Sequence, residues 1–549
     1  MQNNHENSDL NTAEIIIEKL ISWKVEFIFS LVGEGINPIF ESLRKRQDKI
    51  RLITVRHEEA AAFMASGYAK STGKMGVCLA TTGPGAVHLM NGLYDAAMEG
   101  APVLAITGAV NHDVLGTKFL QEVDTVTMLK DIAVYNQMIS GPVHAQTIVD
   151  LACRAALSTP GLAHITVSTD IQEQRLSEDK RSQKGGMLTG SSTFSPRTYT
   201  TSEEDINKAA RILNKSNKVM ILTGRGALAA TKEVEEVAEK LGAPVAKALL
   251  GKAVLPDNSP YTTGGIGRLG TLPSKQMMDE CDTLLILGST MPYLEYYPQP
   301  GKARAIQVDR DPERIGIRYP VELGLHGDVK VTLEALIPKL TFENDRSFLE
   351  LAQQRMVAWN QTITKLETNQ AMPIQPHFLV AQVSALAKDD ALLAIDTGAH
   401  TVFTARHFRI KATQQVIACG NLASMAPALP YAIAAQLAYP GRQCIAMMGD
   451  GGLTMLMGEI ATAVLYDLPI KIVLFKNNKL VMDKFEQEEI GAQEFGIALH
   501  PIDFVKVAEA CGAEGYKCTN PDEVAKVLTK AFASASGPYR SGYRSGCEA

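Results

Sequence analysis

The sequence predicts an α/β protein of three doubly wound parallel-sheet domains, the first and third built on one plan and the middle one Rossmann-like. Three observations carry this. At 549 residues the chain is too long for one core, and at about 100–200 residues per domain it holds about three. Short apolar runs alternate with helical stretches from end to end, the pattern of parallel sheets with helices on both faces. A unit of strand, glycine loop, helix, proline and strand occurs twice, with loop-to-proline spacings of 19 residues (Gly83 to Pro102) and 20 residues (Gly449 to Pro469). That echo implies duplication of one domain.

The first segment runs from Thr12 to Asp170, inside a domain assigned residues 1–185. Phe27–Val32, Val77–Ala80 and Pro102–Thr107 are its strand-like runs, and Glu58–Ser71 is helical. A polar stretch from Arg175 to Thr201, rich in Ser, Lys, Gly and Thr, reads as a linker. The middle segment, Ser202 to Leu340 within 186–345, holds strands Val219–Leu222, Thr283–Leu287 and Ala305–Val308. Gly224-Arg225-Gly226 follows the first of these and Asp309 closes the last. A lone Gly-x-Gly is weak evidence, so on these residues the domain is either a spacer or a nucleotide site. A helical connector, Ser347–Glu367, leads to Pro373-Ile374-Gln375-Pro376 and the third segment, within 346–549.

There the apolar run Cys444–Met448 ends in Gly449-Asp450-Gly451-Gly452. A helix from Leu453 to about Tyr466 follows, and Ile470–Phe475 then ends in Lys476-Asn477-Asn478. Asp450 and Asn477, 27 residues apart, thus fall on one carboxyl-terminal sheet edge, where open α/β sheets bind ligands. A carboxylate plus an amide oxygen suits Mg²⁺, which keeps a few protein oxygens and fills its octahedron with water and ligand phosphate. The flanking glycines let backbone N–H groups approach a diphosphate at the helix start. The first-segment loop, Gly83-Pro84-Gly85, carries no acid and cannot be a second site of this kind. Arg56-His57-Glu58-Glu59, read alone, places acids at a helix N-terminus, an effect on the order of tenths of a kcal/mol.

A net charge of −6 spread over this length points away from nucleic acid and membrane surfaces. Eight scattered cysteines form no CxxC pair and read as buried thiols of a reducing, cytoplasmic compartment rather than a metal site or a disulfide framework. The N-terminus is polar, without the pattern of a signal peptide. No apolar run approaches the ~20 residues needed to span a bilayer.

Together, Gly449-Asp450-Gly451 with Asn477, Arg56-His57-Glu58-Glu59 and Gly83-Pro84-Gly85 resemble thiamine-diphosphate enzymes of the pyruvate oxidase and acetolactate synthase group, above all the pyruvate oxidases and the quinone-linked pyruvate dehydrogenase. The resemblance spans residues 12 to 538. It implies that Glu58 bonds N1′ of the cofactor's aminopyrimidine and drives it to the imino tautomer. It implies that Asp450, Asn477 and the Lys479 carbonyl hold Mg²⁺ on the diphosphate, with Gly398, His400 and Thr401 flanking it. Met425, in Ala423-Ser424-Met425, would bend the cofactor, although on the residues alone it is core filler. Leu120-Gln121-Glu122 resembles the family's Phe-Gln-Glu segment beside the substrate. Gly267 and Leu269, Ser289, Met291 and Tyr293, and Asp309, with Gly224-Arg225-Gly226, resemble the FAD-binding segments. With Glu58 and Asp450 in different domains, the resemblance implies a site shared between chains, with a homodimer as the minimum and a homotetramer as the family's usual assembly.

The chain departs from the family at three places. Lys476-Asn477 replaces Asn-Asn, with the ligand position kept. Val481-Met482 stands where pyruvate oxidases carry Gly and an aromatic residue over the reacting centre, so with Met482 at this active-site position substrate size or electron transfer would differ. Glu486, four residues on, either matches an active-site acid or is one charge in the run Glu486-Gln487-Glu488-Glu489. The tail from Tyr539 to Ala549 is an Arg-Ser-Gly repeat, unable to supply an apolar strand or the amphipathic tail of membrane-bound members. The expected activity is oxidative decarboxylation of a small 2-oxo acid, pyruvate foremost, to acetate or acetyl phosphate and CO₂. Thiamine diphosphate, Mg²⁺ and FAD would be the cofactors, and quinone or oxygen the electron acceptor. The alternatives are an acetolactate synthase-type carboligase with structural FAD, or a non-catalytic homologue.

Overall fold

A computed structural model describes residues 10–176, 191–196, 198–411 and 413–534. The first sheet contains β1 (Phe27–Ser30), β2 (Arg51–Thr54), β3 (Gly76–Ala80), β4 (Val103–Ala109), β5 (Ala133–Ile139) and β6 (Leu162–Ser168). They run parallel in the order β2-β1-β3-β4-β6-β5. The second contains β7 (Val219–Thr223), β8 (Val245–Lys247), β9 (Thr262–Gly265), β10 (Thr283–Leu287), β11 (Arg304–Asp309) and β12 (Leu323–His326), in the order β12-β11-β10-β7-β8-β9. The third contains β13 (Leu392–Ile395), β14 (Gln415–Ala418), β15 (Cys444–Gly449) and β16 (Lys471–Phe475), in the order β14-β13-β15-β16. The protein is therefore three parallel-sheet α/β domains. The first four strands of the outer two domains follow the same order, second-first-third-fourth, as one plan used twice requires.

Central strands such as β3, β4 and β6 are buried at every residue, which is why they read as continuous apolar runs rather than alternating ones. In each sheet the order reverses between two central strands, β1 and β3, β7 and β10, and β13 and β15. Loops leaving such a pair diverge to opposite faces and open a crevice at the carboxyl edge. The loops at Gly83, Gly224 and Asp450 all follow one strand of such a pair.

The first and third domains of one chain share a core. Helix Glu58–Thr72 lies against helix Ala428–Ala438, with the Phe63 and Tyr431 rings 6.0 Å apart at 88°. Their approach depends on Gly67, where a Cβ would lie 2.7 Å from the Tyr431 ring. Burying aromatic and aliphatic side chains there contributes roughly 1.5–3 kcal/mol each. Residence on separate domains therefore does not by itself require a partner chain for these two domains to meet.

The stretch Leu453–Tyr466 differs from the single helix its sequence predicts. It is two helices, Asp450–Leu456 and Glu459–Leu465. The break at Met457-Gly458 faces Arg56, whose Cβ would lie 3.6 Å from a Cβ on Gly458, and it turns Glu459 towards the first domain. The Arg175–Thr201 linker falls partly, and the tail from Tyr539 wholly, outside the described residues. The cysteines among the described residues are free, and Cys78, Cys153, Cys281, Cys419 and Cys444 are buried. Among those residues no helix is long and apolar enough to cross a membrane.

Candidate active site

The first-domain half begins at the start of helix Glu58–Thr72. His57 caps it, its Nδ1 accepting the Glu59 N–H at 3.1 Å, so Glu58 is held at the first turn. Glu58 is 7 % exposed. Its Oε2 lies 3.0 Å from His88 Nδ1, and the His88 ring stacks on His57 at 4.5 Å. Its Oε1 faces the glycine loop, where a Cβ on Gly85 would come within 3.3 Å. Gly83, at φ +64°, supports the loop carrying Gln121, whose carbonyl oxygen would be 2.6 Å from a Cβ there. Glu122 shapes that loop by accepting the Gly116 and Phe119 N–H groups, which keeps its carboxyl below the ordinary range. Glu58, Gly83, Gly85 and Gln121 are thus brought together, with Pro84 exposed beside them and His88 as an added neighbour.

The third-domain half is the crevice between β13 and β15. Asp450 is 5 % exposed. Its Oδ2 accepts the N–H groups of Asn477 (3.1 Å) and Asn478 (2.6 Å), so the two sheet-edge loops meet at this carboxylate. The Asn477 Oδ1 accepts the Lys479 N–H at 2.8 Å, and Lys479 bridges to Ala498. Gly398, His400 and Thr401 follow β13, with Gly398 N–H donating to Thr401 Oγ1 at 3.1 Å. The His400 ring lies beside Gly449, whose Cβ would meet Nδ1 at 3.0 Å. Met425 reaches to 3.2 Å from a Cβ on Gly451, beside Leu480 at 2.9 Å. Its loop holds Ala423 at φ +56° and Ala426 at φ +87°, a strain on the order of 1–3 kcal/mol per residue of the kind found at ligand clamps.

Two buried groups here lack partners. The His400 Nε2 has no hydrogen-bond partner, and burial pushes this imidazole down to about 4, so it is neutral at pH 7. The Asp396 carboxylate faces the N–H groups of Thr397, Ala426 and Ala428 without a well-formed bond to any. Burial pushes it up to about 8. Unpartnered buried polar atoms are rare in folded proteins, and a bound water, ion or ligand can supply the missing partner. A glycine cradle at Gly449, Gly451 and Gly452, a carboxylate and an amide oxygen at one edge, and these orphaned groups fit a Mg²⁺-bound diphosphate.

Met482 and Glu486 sit on helix Val481–Glu489, which buries no residue. Met482 is half-buried and Glu486 exposed. In the middle domain, Gly224 and Gly226 meet Gly288 and Ser289 at the β7–β10 switch point, with Gly226 N–H donating to Gly288 O at 3.1 Å. Gly267, at φ +93°, lies under Tyr293 (3.0 Å from a Cβ there) and Met291 (3.8 Å), with Leu269 half-buried nearby. Asp309, at the end of β11, accepts the Asp311 N–H at 3.0 Å, and burial raises its proton affinity. These residues share one sheet edge. Arg225 is directed elsewhere: its guanidinium binds the Glu99 carbonyl of the first domain.

Family models match all three domains. Residues 10–128 match the thiamine pyrophosphate enzyme N-terminal TPP binding domain, 206–336 the central domain and 396–539 the C-terminal TPP binding domain. The chain belongs to the thiamine pyrophosphate enzyme family. It is 39 % identical over 521 residues to a putative thiamine pyrophosphate-containing protein, YdaP, of Bacillus subtilis, covering 95 % of this chain and 89 % of that one. It is 30 % identical to the pyruvate oxidase of Lactiplantibacillus plantarum (95 % and 86 % covered). It is also 30 % identical to a probable acetolactate synthase large subunit of Methanococcus aeolicus (96 % and 91 % covered). The chain is thus a thiamine-diphosphate enzyme of the pyruvate oxidase and acetolactate synthase group, and its two outer domains are the cofactor-binding ones. His88, Asp396 and Glu459 are the site neighbours that sequence patterns did not select. Asp396 lay in the hexapeptide Asp396–Thr401, whereas His88 and Glu459 carry no local signal.

Proposed function

We propose that this enzyme decarboxylates a small 2-oxo acid, pyruvate first, using thiamine diphosphate and Mg²⁺ and passing two electrons through FAD to quinone or oxygen, to give CO₂ and, with water, acetate or, with phosphate, acetyl phosphate. The observation that carries the proposal is the split site, with a buried glutamate at a helix start on one domain and the Asp450–Asn477 oxygen pair on the other. Bound thiamine diphosphate supplies the electron sink that lets CO₂ leave.

The chain's own residues do the rest. Asp450 and Asn477, with the Lys479 carbonyl, would hold Mg²⁺, and the N–H group at Gly452 would meet the diphosphate. Met425 supports the cofactor between its two ends. Glu58 holds the proton at N1′ of the aminopyrimidine, shielded from solvent on its helix start. The Gln121 loop, Met482 and Glu486 close the substrate side and reduce water access. The middle-domain edge from Gly224 to Asp309 takes FAD. Glu58 and Asp450 complete one site across a homodimer, which pairs further into a tetramer.

A visible spectrum of the purified protein tests this. The proposal expects a yellow flavin that bleaches anaerobically on addition of pyruvate. Identity of 30 % to a probable acetolactate synthase subunit favours carboligation as the second reading. Flavin that stays yellow while acetolactate accumulates, without acceptor reduction, would establish that reading and overturn the oxidase.

A further inference from the structure

We propose that Glu459, on the third domain, is a positioning residue that aligns Glu58 for its work on the cofactor. This rests on the thiamine-diphosphate reading above. Glu459 is 1 % exposed. Its Oε1 accepts the N–H groups of Arg56 at 2.9 Å and His57 at 3.1 Å, the two residues immediately before Glu58. Its Oε2 accepts the Thr462 hydroxyl at 2.7 Å. Both carboxylate oxygens are therefore occupied, Oε2 by a hydroxyl of its own helix and Oε1 by main chain of the first domain.

The grip decides where the helix starts. The N–H groups at a helix N-terminus have no partner within the helix. Here those just before the first turn are satisfied from another domain, so the direction in which the chain enters helix Glu58–Thr72 is set by Glu459. A second tie acts on the next residue. Asn91 Nδ2 lies 2.6 Å from Glu59 Oε1 and 2.8 Å from Ser424 Oγ, linking the helix start to the Met425 loop. Glu58 is thus flanked on both sides by contacts to its own chain's third domain. Glu459 follows Asp450 by nine residues, on the next helix, so the third domain of a chain sets the frame of its own Glu58 whichever chain supplies the diphosphate loop. A displacement of about 1 Å at a reacting group can cost on the order of 10²-fold in rate.

The test compares Glu459→Asp, Glu459→Gln and wild type at saturating thiamine diphosphate and Mg²⁺. The readout is hydrogen–deuterium exchange at C2 of the bound cofactor, followed by quench and NMR, beside a thermal melt. Glu459→Asp shortens the side chain by one methylene and should slow exchange at least tenfold. Glu459→Gln keeps an acceptor for both N–H groups and should stay within about threefold of wild type. A purely structural role would lower the melting temperature and leave exchange in the folded variant unchanged. Glu459→Asp within twofold of wild type overturns the proposal. Wild-type protein that fails to accelerate C2 exchange at all would instead sink the thiamine-diphosphate reading beneath it.

Discussion

Lys70 is the most informative single position to perturb. Its ammonium is 2.7 Å from Asp95 Oδ1 and 3.1 Å from Glu99 Oε2, with side chains 5 %, 0 % and 1 % exposed. It also donates to Tyr431 Oη at 3.1 Å and to the Ala418 carbonyl at 3.3 Å. One cation thereby joins helix Glu58–Thr72 to helix Met90–Glu99, β14 and helix Ala428–Ala438. Burial works against the charged lysine, but Asp95 and Glu99 hold it above its ordinary value. Lys70→Met keeps the volume and leaves two buried carboxylates without their shared cation; Glu99 retains the Gly420 N–H at 2.7 Å and Arg225 at 3.9 Å. Breaking a buried pair in this way costs roughly 3–5 kcal/mol, a large share of a typical stability of about 5–15 kcal/mol.

A chain of three domains need not unfold in one step, so the assay is amide hydrogen exchange of helices Glu58–Thr72 and Ala428–Ala438. A loss of ~3 kcal/mol there lowers protection about 10²-fold, at about 1.4 kcal/mol per factor of ten. In Asp95→Asn the amide oxygen still accepts from Tyr431 and Ser66, both 2.6 Å from Oδ2, while its NH₂ opposes Lys70. The double variant removes that opposition and should lose clearly less than the sum of the singles. Protection within a factor of five of wild type in Lys70→Met, or strict additivity in the double variant, refutes the role given to this cluster.

Other expectations follow from the site. Glu58→Gln should lower CO₂ release by about 10²–10⁴-fold while calorimetry still detects bound thiamine diphosphate; retained turnover would remove Glu58 from its role. Gly452→Ala puts a Cβ 2.0 Å from Asp396 Oδ2, a clash costing about 1–3 kcal/mol, and an unshifted melting temperature would contradict that contact. Chelation of divalent metal should release the cofactor, with Mg²⁺ restoring binding in wild type and failing to do so in Asp450→Ala. Asp396 has a folded value of about 8 against 3.8 in the unfolded chain. The folded state therefore binds this proton more tightly, and the contribution is complete below pH ~4 and lost as pH rises to about 8. Denaturant melts of the cofactor-free protein should show a decline of at most about 1.4 kcal/mol per pH unit over that window, absent in Asp396→Asn.

Local patterns carried much of this molecule. The helices Glu58–Ser71 and Ser347–Glu367 and the strand Thr283–Leu287 are where periodicity puts them, to within a residue. A sheet buried on both faces needs short apolar runs, and its edges need glycine, so fold class and the Asp450–Asn477 edge are written in neighbouring residues. The apolar pattern after Asp450 runs on as one helix, but the structure breaks it at Met457-Gly458, where glycine weakens a helix interior and the chain passes Arg56 of the first domain.

By itself the sequence determined three parallel-sheet domains, the repeated plan of the outer two, and the carboxylate–amide pair where two strands end. These depend on periods of a few residues and on glycine punctuation, which every segment carries within itself. Only the tertiary structure decided that His88 meets Glu58, that Arg225 turns to Glu99, and that Glu459 holds the peptide units before Glu58. The Glu459 contacts join residues 402 and 403 positions apart. Nothing in either local pattern specifies such a partner, because the choice is made by how helix Glu58–Thr72 and helix Ala428–Ala438 close one core and bring two remote loops to the same place.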